Sequence, residues 1–427
     1  MAKLPSQFEL DVVRLVPSGE GMGYHGNRPV FVFGSLPGEK IIVRPVKVSR
    51  QRSKAAIVEV IKASPERIAS REDHYISCSP WQIMSYDQQL MHKQELATVA
   101  FRSFGLATPA ITAAPEVFNY RNKMEFSLVG EPGQLSLAWH KRWRHSEFEL
   151  IDGCVLARPL LNDVANLIKD ALQDQMVAKE QIKSLVVRYS YSQNKCLAAL
   201  YVTDSDFPKI DIKDDRLAGW LIIYSDPQFS DIRTTAILHK QGDDYLTEKI
   251  GETDLRYFYD SFFQINPPSF NNLLQYLQGH IGRGNKLVDL YSGVGTFALA
   301  LASAWKAVTA VEFNATAVMI AEENAKINGI TNVSLIGGAA EKQPLPEIIA
   351  DTDVLLVDPP RSGLHPKVAE VVATTGPKKL IYVSCNPVTQ ATDWQILKNN
   401  YRLKEWQLFD FYPQTPHVES VIIAERF

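Results

Sequence analysis

Cysteine is scarce in this chain. Cys78, Cys154, Cys196 and Cys385 are the only four in 427 residues, and no two are spaced as a Cys-x-x-Cys pair. That pattern excludes a disulfide framework and a zinc ribbon, so any thiol with a chemical role is identified by its neighbours. Long apolar runs are missing too. Val354 to Val357 and Val421 to Ala424 have the length of strands and fall far short of a bilayer span. The start, Met1-Ala2-Lys3-Leu4-Pro5, lacks the apolar core of a signal peptide, which predicts a cytoplasmic protein without membrane attachment. Charge of one sign is not in large excess: the net charge is −3, so an affinity for nucleic acid would depend on local patches. With 45% hydrophobic and 22% charged residues the composition is that of a globular protein, and the length predicts two or three domains.

Two such patches are present. Arg44, Lys47, Arg50, Arg52 and Lys54 follow one another with no acidic residue between Arg44 and Lys54, and Trp139-His140-Lys141-Arg142-Trp143-Arg144-His145 interleaves rings with cations. Cations neutralise phosphates and flat rings stack on exposed bases, a mixture suited to RNA. The first patch lies in a β-rich segment over residues 7–66. There Phe8 to Val12 alternates, Gly19, Gly21 and Gly23 interrupt, and Val30 to Phe33, a Leu36-Pro37-Gly38-Glu39 turn, Ile41 to Val43 and Ala56 to Ile61 follow. Short strands with Gly/Pro turns predict a five-stranded OB-type barrel over residues 1–66, and the run FVFGSLPGEKIIVRPV resembles a TRAM RNA-binding domain. Residues 67–248 read as an α+β unit with a helix near Gln88 to Phe104, strands from Arg121 onward, and no catalytic motif of their own. Residues 249–427 alternate strand and helix, predicting a Rossmann-like parallel sheet. The close pair Leu403 to Phe411 and Val418 to Glu425 predicts an antiparallel hairpin at one edge.

Motifs that carry chemistry cluster in that last unit. Val288-Asp289-Leu290-Tyr291-Ser292-Gly293-Val294-Gly295-Thr296 is a strand, a glycine turn and a helix start. Glu312 ends the next strand, where a ribose diol would be gripped. This loop fits NAD and adenosylmethionine equally well. Asp358-Pro359-Pro360-Arg361 puts a stiff, acidic loop after a further strand, with Arg361 where amino-group methyltransferases place an aromatic. Val383-Ser384-Cys385-Asn386-Pro387 puts a thiol at a strand exit on the same rim. Carbon 5 of uracil is a poor nucleophile. A thiolate added to carbon 6 makes it reactive, and a base must then remove the carbon-5 proton. Glu419, after the turn Tyr412-Pro413-Gln414-Thr415-Pro416, is the candidate base, with His417 as its rival.

FFQINP, DLYSGVGTF, VDPPRSGL, VSCNP and YPQTPHVES, in this order, resemble the RNA (uracil-C5)-methyltransferase family over nearly the whole chain. The resemblance implies a class I methyltransferase domain that uses S-adenosyl-L-methionine, with Cys385 as nucleophile and Glu419 as proton acceptor. It implies Gln264, Tyr291, Thr296, Glu312 and Asp358 around the cofactor, and Tyr120-Arg121-Asn122-Lys123 against RNA. It further implies a monomer acting on RNA, with 23S ribosomal RNA ahead of the T-loop uridine of tRNA. Cytosine-C5 methylation, which would need a second cysteine on the catalytic rim, and a non-catalytic RNA-binding protein or chaperone are the rival readings. Many relatives hold a 4Fe–4S cluster through four cysteines. Here Cys78 and Cys154 align with two of them, while Glu72 and Trp81 replace the others, so no iron–sulfur cluster and no metal is expected.

Overall fold

The computed structural model describes residues 4–49 and 52–427. Met1, Ala2, Lys3, Arg50 and the His145 side chain, which figure in the readings above, lie outside what is described. No described helix is long and apolar enough to cross a membrane.

The strands Phe8–Leu15, Gly21–His25, Arg28–Val32, Lys40–Val48 and Ser53–Lys62 close into a barrel in which the third pairs with the fifth. Alternation decides which side chains face in. Phe8, Leu10 and Val12 are buried while Glu9 and Asp11 are exposed, and Val30, Val32, Ile41 and Val43 complete the interior. The central unit is a seven-stranded sheet that runs in space from Ala236–Gly242 to Arg144–Ile151. The helix Pro159–Asp174 covers one of its faces with Leu161, Val164, Ala165, Ile168 and Leu172, a stripe at helical spacing.

In the third unit the strands Gly284–Leu290, Trp305–Glu312, Val333–Gly337, Val354–Val357 and Lys379–Ser384 are parallel. Glu419–Arg426 and Tyr401–Phe409 form the expected antiparallel pair. That pair is not at the edge, because Ala110–Thr112 adds a further parallel strand outside Tyr401–Phe409. The helix Tyr86–Ala100 also belongs here. Ala97 and the adjoining Phe101 pack with Leu355 and Leu408, so residues 86–112 dock on the C-terminal sheet although they fall inside the expected 67–248 unit. Their apolar positions are satisfied only by that sheet, which forms much later in the chain. Within the sheet, the chain runs outward from Gly284–Leu290 through Trp305–Glu312 and Val333–Gly337. It then returns past its starting strand to Val354–Val357 and Lys379–Ser384. The carboxyl ends of Gly284–Leu290 and Val354–Val357 flank the point of reversal, where sheets of this kind leave a crevice for ligands.

Candidate active site

Tyr291, Gly293 and Gly295 follow the first of these strands and all have positive φ: 67°, 56° and 85°. A Cβ on Gly295 would lie 2.9 Å from Leu299, and one on Gly293 would meet nothing within 4 Å. Gly293 is therefore required for its backbone angle, and it leaves that backbone open to a ligand. Glu312 ties the two strand ends together: its carboxylate accepts from the Gly293 amide at 2.9 Å and from the Asn314 amide at 2.8 Å. A cavity of about 720 Å³ opens in front of them, lined by Gln264, Tyr291, Glu312, Asp358, Cys385, Tyr412 and Glu419 among others. Phe262 and Phe313 stand at its mouth, 75% and 72% exposed. Sequence reading assigned a role to neither, although Phe262 opens the FFQINP motif and Phe313 follows Glu312. Thr296, expected in this group, is not among the residues lining the cavity; it opens the helix Thr296–Leu301 after Gly295.

Cys385 leaves the strand Lys379–Ser384 half-buried. The next residue fixes its loop: Asn386 caps the helix Pro387–Leu397, and its amide group donates to the Arg361 carbonyl at 2.9 Å. Burial first, then the negative charges of Glu419 and Asp358, push the Cys385 thiol up to about 12, with Arg361 opposing them. Glu419 is buried and accepts a 2.9 Å hydrogen bond from the Tyr412 hydroxyl. Burial and the Asp358 charge raise its carboxyl to about 8, against the pull of Tyr412 and Arg361. Asp358 is itself raised to about 7 by burial. His417 is placed differently from its rival. Its ring accepts from Arg361 at 3.0 Å, burial and neighbouring cations push it down to about 3, and it lines adjacent clefts outside the cavity of Glu419.

The loop from Asp410 to Val418 is held from all sides. Lys93 donates to Asp410 at 2.6 Å and to the Tyr412 carbonyl at 3.0 Å. Gln89 exchanges two 2.8 Å bonds with Gln414, whose φ of 66° would be strained without that clamp. Tyr120 donates to the Pro413 carbonyl at 3.0 Å and Asn266 to that of Phe411 at 3.0 Å. From the barrel, Gly19 meets Pro416 so closely that a Cβ would lie 2.5 Å from Pro416 Cγ. Trp81 bonds both sides, its indole donating to the Gly19 carbonyl at 3.2 Å and its amide to that of Gln414 at 3.1 Å.

The two basic and aromatic patches meet in space. Lys54 Nζ lies 3.5 Å from the Trp143 ring centroid and Arg142 stacks 4.0 Å from that of Phe33. They share a cleft of about 570 Å³ with Arg121, Arg361 and His417. Of Tyr120-Arg121-Asn122-Lys123, only Arg121 is among the residues lining it. Tyr120 and Asn122 are buried, and Asn122 donates to the Gln264 carbonyl at 3.0 Å, so both brace the site from behind.

The tRNA (Uracil-5-)-methyltransferase family model matches residues 85–427. An uncharacterized RNA methyltransferase of Halalkalibacterium halodurans is 31% identical, covering 98% of this chain and 96% of its own length. One from Lactobacillus johnsonii is 30% identical, covering 98% of each. The crystal structure of Pyrococcus abyssi tRNA (uracil-54, C5)-methyltransferase in complex with S-adenosyl-L-homocysteine aligns with a TM-score of 0.80 at 23% identity, over 98% of this chain and 100% of that one. That likeness extends the shared fold to the barrel and the central sheet.

Proposed function

The chain belongs to the tRNA (uracil-5-)-methyltransferase family, an RNA-methylating enzyme family, and from that premise we propose that it methylates carbon 5 of a uridine in folded RNA through Cys385 and Glu419. One observation carries the reading: a single cavity presents the thiol, the raised carboxyl and the glycine loop with its acidic anchor. Its residues fit S-adenosyl-L-methionine. Glu312 keeps acceptor capacity for ribose hydroxyls, the exposed Phe262 and Phe313 offer flat faces to an adenine, and Gln264, Tyr291 and Asp358 complete the wall. When bound, the cofactor supplies the methyl group that carbon 5 accepts.

The protein's own groups do the rest. Cys385 Sγ, having lost its proton to water, bonds to carbon 6, and the displaced π pair makes carbon 5 nucleophilic. Asp358 and Glu419 oppose a free thiolate, so the anion is short-lived unless it bonds, while Arg361 offsets part of that cost. After methylation Glu419 accepts the carbon-5 proton, the C5=C6 bond re-forms, and the carbon–sulfur bond breaks to return the thiolate. A carboxyl raised to about 8 by burial is a stronger proton acceptor than a solvated one, which suits this step. His417, held low and paired with Arg361, orients the loop.

The barrel has the strand order of an OB-fold, and with its Lys54–Trp143 cleft it supports the reading as a TRAM domain that holds RNA beside Arg361. The TRAM resemblance favours 23S ribosomal RNA as substrate, and a T-loop uridine is the second reading because the family description names tRNA. Nucleoside mass spectrometry of both RNAs from a deletion strain decides between them, and no lost 5-methyluridine in either sinks both. For the chemistry, RNA carrying 5-fluorouridine should trap the enzyme, since fluorine cannot leave as a proton. Cys385→Ala should give no adduct and lower turnover by on the order of 10³-fold or more, with cofactor affinity nearly unchanged. An adduct with the alanine variant would overturn the assignment.

A further inference from the structure

Glu72, Cys78 and Cys154 come from separate places in the chain. Glu72 lies in the loop ahead of the short helix Tyr75–Cys78, Cys78 ends that helix, and Cys154 follows the strand Arg144–Ile151. A carboxylate oxygen and the two sulfurs nonetheless all lie within 4.8 Å of one another. His74 adjoins them, with Nδ1 3.4 Å from Cys78 Sγ and Nε2 3.4 Å from Glu72 Oε1.

These residues do not fit the four-iron cluster of relatives, which needs a thiolate for each iron. Trp81, at the position of a third ligand, is turned elsewhere. It packs with Leu15, Leu36, Ile83 and Met84 and spends its indole N–H on the Gly19 carbonyl. The group suits one small ion better. With metal–sulfur bonds of about 2.3 Å and metal–oxygen or metal–nitrogen bonds of about 2.0–2.2 Å, the ligand atoms of a tetrahedral ion stand about 3.3–3.8 Å apart. From the 4.8 Å limit the ligand atoms would draw in by about 1.0–1.5 Å to reach this.

The surroundings hold the ligands from behind, as a metal site requires. The Val155 amide donates to Glu72 Oε1 at 2.6 Å and Gln82 to Glu72 Oε2 at 3.1 Å. Asn162 clamps the Cys154 backbone from both sides, accepting from its amide at 3.1 Å and donating to its carbonyl at 3.0 Å. Glu72, His74 and Cys154 also line an open pocket of about 1050 Å³ that gives an ion access.

We propose that Glu72, Cys78 and Cys154 hold a single Zn²⁺ ion in place of a cluster, with the fourth position open to the pocket that Glu72 and Cys154 line. Two thiolates and a carboxylate are donors that zinc takes, and the two thiol protons pass to solvent on binding. The ion ties the segment that carries Trp81 to the central sheet. Through Trp81 it steadies Gly19 of the barrel and Gln414 of the catalytic loop.

The test is elemental analysis of the full chain purified without chelator, followed by cobalt titration of metal-stripped protein. About one zinc per chain is expected, with a drop of about tenfold in Cys154→Ser and in Glu72→Gln, and retention in Cys385→Ala. Should the variants fail to fold, cobalt added to stripped wild-type protein should produce intense sulfur-to-cobalt charge-transfer bands that zinc abolishes. Protein without zinc and without such bands overturns the proposal. So does iron accompanied by acid-labile sulfide, or zinc content that follows Cys385 in place of Cys154.

Discussion

The Tyr412 hydroxyl donates its proton to a carboxylate that burial would otherwise neutralise. Because that bond favours the charged form of Glu419, Tyr412→Phe raises the carboxyl further and leaves less of it ionised near neutral pH. Turnover of the phenylalanine variant should fall about eightfold near pH 7.5, with the deficit narrowing to about twofold by about pH 9, a shift of the rate profile by roughly one unit. A loss independent of pH would mean that the hydroxyl only packs. Glu419→Gln cannot take the carbon-5 proton at any pH. It should accumulate methylated RNA bound to protein on denaturing gels, and ordinary turnover by it would move the role to another group. At this scale Cys385, Asp358 and Glu419 could be singled out because Cys385 and Asp358 follow the last residue of a strand and Glu419 opens one, each beside turn-forming residues. Tyr412 could not, since a tyrosine before a proline carries no sign of what its hydroxyl meets, and Thr296, expected beside the cofactor, is not among the residues lining the cavity.

Among elements, the helix Tyr86–Ala100 joins the N-terminal half of the chain to the catalytic loop. Lys93 and Asp410 are fully buried and 2.6 Å apart. Lys93→Ala leaves an unpaired carboxylate in that interior and should cost about 3–5 kcal/mol in urea unfolding. The paired replacement Lys93→Met with Asp410→Leu should restore most of it. If the single change is mild, the pair is not carrying the loop. This helix was expected near Gln88 to Phe104 and runs from Tyr86 to Ala100, with Ser85 and Gln88 forming a capping box at its start. Its destination was not, since Gln89 and Lys93 find their partners more than 300 residues later. Ala236–Gly242 escaped for another reason: it is largely exposed along its length and leaves no alternation to read.

For the whole molecule, the cleft of Lys54, Trp143, Arg142 and Arg361 predicts how RNA affinity responds to salt. Lys54→Gln with Arg142→Gln should weaken binding and reduce the slope of log affinity against log salt by about 1.4, roughly 0.7 per lost phosphate contact on single strands. Cofactor affinity should not change. An unaltered slope would make the cleft a solvated surface, with Lys54 serving only its ion pair to Glu20. Both patches were visible as composition. That a lysine from one lies over a tryptophan of the other depends on how a barrel and a distant hairpin dock, which no local pattern encodes. The same docking makes deletion of residues 1–66 a poor test of RNA binding, because it removes Gly19 from against Pro416 and uncovers Trp81.

The strand Glu419–Arg426 lies between Lys379–Ser384 and Tyr401–Phe409, both of which precede it in the chain. During synthesis those two leave the ribosome before it, and so does Cys385. A chain halted there carries the proposed nucleophile and lacks the proposed proton acceptor. On the proposed chemistry insertion of that strand is an interlock, since the hydrogen bonds that complete the sheet also bring in the carboxylate assigned to RNA release.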